Sequence, residues 1–176
     1  MNFLGYFQAG LTVREYEALL SEDQVKLHGL HKRRAAITPE DVASIEASEA
    51  RRVLVITEPW CGDSLAIFPV VSELFGRAGV EVRVAQRDLN PALIDQFLTN
   101  GGRAIPIAII LDASNAPILR WGPRPAPAQE IVTSHKEDVA AGRIERAEVH
   151  KKVRAFYSSD VGKTIVAELV SGLADA

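Results

Sequence analysis

The sequence predicts an α/β fold: a central mixed four-stranded sheet flanked by helices, with helical extensions at both ends. Three observations carry this. A β-branched run, Val53-Leu54-Val55-Ile56-Thr57, is followed by a turn and a segment with apolar residues at helical spacing. A second, alternating strand over 80–85 leads into a short helix, and a pair of strands around Asp112 to Ala116 forms a hairpin.

The first fifty residues read as helical. Thr12 is placed to cap Val13 to Leu20, Ser21 with Gln24 forms a capping box ahead of Val25 to Arg34, and Thr38-Pro39-Glu40-Asp41 starts a helix over Pro39 to Ser48. After the first strand, Leu65, Phe68, Val71, Leu74 and Phe75 mark a helix that ends at Gly76 to Gly79. Asn90-Pro91 opens a helix through Leu98, ended by Asn100-Gly101-Gly102. The next strand, Ile105 to Leu111, contains Pro106, which belongs at its start because proline lacks an N–H. Pro117 to Trp121 returns antiparallel. Beyond the rigid Gly122-Pro123-Arg124-Pro125-Ala126-Pro127 connection, 128–140, 144–157 and 161–173 have helical spacing. The expected organisation is an N-terminal helical extension (1–50), a core (51–140) and C-terminal helices packed on the same domain (141–176).

Composition narrows the function. Hydrophobic residues make up 47% and the net charge is -3, so the chain can bury a core and carries no basic footprint for phosphate backbones or anionic lipid. No nucleic-acid or membrane partner is expected. The N-terminus has neither a basic region nor a sustained apolar run, and one cysteine fits a reducing compartment, so a cytoplasmic location is expected. That single cysteine excludes an internal disulfide. His28, His31, His135 and His150 fall on expected helices away from the cysteine, and surface solvation is the favoured reading for them. No metal and no cofactor are expected.

Cys61 lies in Trp60-Cys61-Gly62-Asp63-Ser64, between a strand and a helix. Helix N–H groups and the macrodipole there favour a thiolate, and the Ser64 hydroxyl is placed to donate to it. Asp63 opposes this by roughly 1 kcal/mol for like charges about 8 Å apart at intermediate dielectric. The expectation is an exposed thiol, labelled faster than free cysteine. Arg124 is a candidate anion holder, with an exposed pairing to a local carboxylate favoured over it.

Trp60-Cys61-Gly62 ahead of a helix, and Ile105-Pro106 ahead of a late hairpin, resemble the thioredoxin superfamily, whose signature is Trp-Cys-Gly-Pro-Cys plus a cis-proline. The segments 58–64, 87–91, 100–106 and 121–125 are similar to a bacterial thioredoxin-like family with extra N-terminal helices. The resemblance implies the thioredoxin fold, with Cys61 as attacking thiol and Pro106 as the cis-proline facing it. Trp60, Gly62, Asp63, Ile105 and Pro106 would bind substrate, and the Ile105 backbone would pair with an extended chain. Ser64, taken as assisting catalysis, stands where a resolving cysteine would be, and Val55 replaces a buried acid. The implied activity is therefore monothiol (Cys-x-x-Ser) thiol–disulfide exchange on protein thiols or disulfides, resolved by an external thiol such as a low-molecular-weight one. A non-catalytic peptide-binding or chaperone-like module is the alternative. A cluster-binding role, suggested by likeness to Cys-Gly-Phe-Ser, ranks last.

Overall fold

Local capping chemistry sets the start of the chain. In the computed structural model, which describes residues 1–176, the Asn2 side chain caps α1 (Phe3–Ala9). After β1 (Leu11–Thr12), capping boxes built on Thr12, Ser21 and Thr38 start α2 (Val13–Glu17), α3 (Glu22–Arg34) and α4 (Pro39–Ala47). In each box the hydroxyl accepts a backbone N–H three residues on, and the acid or amide there accepts the cap residue's own N–H.

The centre follows as β2 (Arg52–Thr57), α5 (Gly62–Arg77), β3 (Glu81–Gln86) and α6 (Pro91–Ile94). It continues through the hairpin of β4 (Ile107–Leu111) and β5 (Pro117–Trp121). Then come α7 (Ala126–Ser134), α8 (Lys136–Ala140), α9 (Arg146–Asp160) and α10 (Lys163–Ala174). The sheet order is β1-β3-β2-β4-β5, with only β2 and β3 parallel.

Three expectations are revised. The sheet has five strands, because Leu11 and Thr12 pair with Val84 and Arg83 and cover the edge of β3. The helix expected through Leu98 stops at Ile94 and gives way to turns. β4 begins at Ile107, so Pro106 precedes the strand. Its peptide bond with Ile105 is cis, as is Gly122–Pro123.

β2 is buried along most of its length, and its alternating side chains feed two cores. Val53 and Val55 join the larger one with Phe68, Leu74 and Leu169, and Leu54 and Ile56 join the smaller with Ile107, Ile109 and Cys61. No helix is long and apolar enough to cross a membrane.

His28 is a correction: it is buried at 3% exposure beneath Phe68, not solvated. Its Nδ1 lies 3.4 Å from Glu17, while Nε2 has no partner, so a second proton would be buried unpaired. Burial, helped by the positive charges of Lys32 and His31, lowers its pKa to about 4. An unfolded imidazole titrates near 6.5, so between these values the unfolded chain holds the extra proton and stability falls as pH falls. Urea unfolding is expected to show roughly 3 kcal/mol lost over that window through this residue. The loss is expected to be absent in His28→Leu; identical pH profiles for the two proteins would contradict it.

Candidate active site

The segment after β2 cannot remain in the sheet, because Pro59 lacks an N–H and the chain must turn to enter α5. Three long-range hydrogen bonds fix the turn. Gln24 on α3 donates to the Pro59 carbonyl at 3.0 Å, and the buried Glu58 carboxylate accepts the Asp88 N–H at 2.8 Å and the Gln86 amide at 3.4 Å. The second bond secures the turn carrying Arg87, whose guanidinium lies 4.7 Å from the Trp60 ring centroid. Trp60 is 58% exposed, so it presents a face to solvent instead of filling the core.

Cys61 is the N-cap residue of α5, but it is only 7% exposed. The expectation of an exposed, activated thiol is therefore corrected. Burial raises the thiol pKa and the Asp63 charge adds to it; contacts from Ser64 and the Asp63 N–H lower it by less, so the net shift is upward. The macrodipole is outweighed because an ion at this position loses its water. Ser64 is buried, and its hydroxyl shares a hydrogen bond with Thr57 while its backbone N–H and side chain act on the Cys61 sulfur. Gly62 is exposed, with open space where a Cβ would lie.

Across from the motif, the Cys61 Sγ lies 3.6 Å from the Ile105 carbonyl oxygen, with S–H as donor. Neither the N–H nor the C=O of Ile105 takes part in a backbone hydrogen bond. Ile105 and Pro106 are themselves buried, so only an edge of this backbone borders the groove.

Asp63 is not a free charge. Its Oδ2 is 2.7 Å from Arg124 Nη2, and its Oδ1 accepts the Tyr157 hydroxyl at 2.9 Å. The Asp63 and Arg124 side chains are 15% and 20% exposed, so the expected exposed pairing with a local carboxylate is corrected to a largely buried, long-range one. Arg124 is steered there by its rigid connection, which Glu168 on α10 holds by accepting from the Trp121 indole at 2.8 Å and the Ala126 N–H at 2.7 Å. Burial and the neighbouring Asp63 charge push the Tyr157 phenol up, keeping it a donor.

The result is a cavity of about 440 Å³ with Trp60, Cys61, Gly62, Asp63 and Ile105 on its wall. One face of α9 completes it: His150, Val153, Arg154 and Tyr157, at i, i+3, i+4 and i+7. The sequence places His150 on a helix away from the motif, and the structure brings it to the cavity wall. Arg87, Arg103, Arg154 and Tyr157 were not singled out from sequence; the mixed stripe on α9 was the available signal, and it reads equally as a solvent-facing helix. No group of three or more His, Cys, Asp or Glu side chains is placed to hold a metal.

Gly122 supports the wall. It has φ +110°, and a Cβ there would lie 2.4 Å from the Pro106 carbonyl oxygen. Gly122→Ala is expected to cost roughly 2–4 kcal/mol in chemical denaturation; an unchanged midpoint would contradict this close approach.

A thioredoxin family model matches residues 10–138. The search of curated proteins found no match. Among solved structures, the crystal structure of an HIV epitope-scaffold is similar with a TM-score of 0.74 and 13% identity, over 100% of this chain and 99% of that one. A protein of unknown function from Pseudomonas aeruginosa is similar with a TM-score of 0.68 and 15% identity, over 96% of this chain and 98% of that one. These likenesses concern the fold. With the family model spanning most of its length, the chain belongs to the thioredoxin family.

Proposed function

We propose that the protein exchanges thiols with disulfides at Cys61, a monothiol reaction completed by an outside thiol. The observation that carries this reading is the position of the sulfur. It borders a cavity at the start of α5, opposite an Ile105 backbone whose N–H and C=O are free of backbone pairing. A disulfide R–S–S–R′ entering the cavity would be attacked by the Cys61 thiolate. The Cys61–S–SR bond forms, the R–S–S–R′ bond breaks, and R′S⁻ takes up the proton that Cys61 released. Ser64 cannot resolve the adduct, so a second low-molecular-weight or protein thiol displaces Cys61 and leaves R joined to it. A reducing compartment such as the cytoplasm would supply that thiol.

At rest the sulfur is a thiol, because burial raises its pKa. Exchange would therefore depend on pH and on substrate occupying the groove, and Cys61 would not behave as an indiscriminate nucleophile. The same burial favours a second reading, a module that binds an extended peptide along Ile105 without turnover.

Alkylation followed by intact mass is expected to label Cys61 more slowly than free cysteine at neutral pH, with the rate still rising at pH 9.0, the ordinary thiol value. Labelling faster than free cysteine would contradict the buried-thiol account. Cys61→Ala is expected to abolish mixed-disulfide formation and partner capture. Capture that persists unaltered would favour the binding module.

A further inference from the structure

The cavity wall carries four arginines and one carboxylate, Asp63. Three of these arginines are already paired: Arg87 with Asp88 at 2.7 Å, Arg103 with Asp95 at 2.7 Å, and Arg124 with Asp63 at 2.7 Å. Arg154 makes no ion pair and no side-chain hydrogen bond, and neither does His150, four residues earlier on the same face of α9. The uncompensated positive charge of the cavity therefore sits on α9, across from the motif. Val153 and Tyr157, buried beside them, hold that face in place.

The volume, about 440 Å³, is in the range of small-molecule sites. A guanidinium fork with a neighbouring ring N–H suits a carboxylate, which it can bind through two oxygens. We propose that the cavity takes a low-molecular-weight disulfide bearing a carboxylate, with Arg154 and His150 holding the carboxylate and the disulfide lying against Cys61. The exchange reading supplies the sulfur chemistry of this ligand; the anion site itself stands on the unpaired Arg154 and the His150 ring beside it.

The test uses Cys61→Ser protein, which cannot form an adduct, titrated with glutathione disulfide, net negative, and with cystamine, a dication, while tryptophan fluorescence is followed. Saturable binding of glutathione disulfide is expected, weakened about tenfold by adding Arg154→Gln. Cystamine is expected not to bind. Arg154 is exposed, so this substitution should leave thermal unfolding unchanged and serve as its own folding control. Equal binding of the two disulfides, or binding indifferent to Arg154→Gln, would overturn the proposal. Full displacement by millimolar inorganic phosphate in place of a carboxylate-selective response would overturn the carboxylate assignment. Wild-type protein that binds glutathione disulfide with this selectivity yet forms no adduct on Cys61 would support the anion site and remove the exchange reading.

Discussion

The site depends on one carboxylate shared between two distant partners. Asp63, in the first turn of α5, accepts from Tyr157 on α9 and pairs with Arg124 in the connection after β5. These two contacts bring three separate parts of the chain to the same end of the sheet. Without them α9 would be held by the apolar contacts of Val149 and Val153 but would have no polar anchor at the motif. The cavity beside Cys61 exists because that anchor sets α9 against the motif.

The same arrangement decides the state of the sulfur. A helix N-terminus favours a thiolate, whereas burial and an adjacent anion favour a thiol. Here the second set prevails, since Cys61 packs into the smaller core with Ile56, Ile105 and Ile107, away from the water that would solvate an ion, and Asp63 keeps its charge close by. A protected thiol and a cavity with one unpaired arginine belong together: reactivity is restricted to molecules that fit the cavity and match its charge. The N-terminal segment contributes from behind the motif, through Gln24 on the Pro59 carbonyl and Tyr16 packed on Phe68.

What could be read from sequence was what is local. The capping boxes at Thr12, Ser21 and Thr38 involve residues three apart, and the buried strand over 53–57 announces itself by its β-branched run. The motif around Cys61 and the approach of Ile105-Pro106 were visible through family likeness. The two-residue strand Leu11–Thr12 was hidden because so short a segment has no period, and its pairing is with residues about seventy positions away. The burial of Cys61 was hidden for a related reason. The segment that packs on it, Ile105 to Ile107, comes some forty-five residues later, and nothing at Asp63 announces that its partner is Tyr157. His28 shows the same limit: its helical position suggested solvent, and the packing of α3 on α5 put it under Phe68.

Amide hydrogen exchange in Asp63→Ala addresses the central claim most directly. If Asp63 anchors α9, the amides of 150–157 should exchange faster in the variant than in the wild type, while those of β2 and β4 keep their protection. Unchanged protection across α9, with the sheet equally intact, would mean that the helix holds its place without the shared carboxylate and would contradict the account.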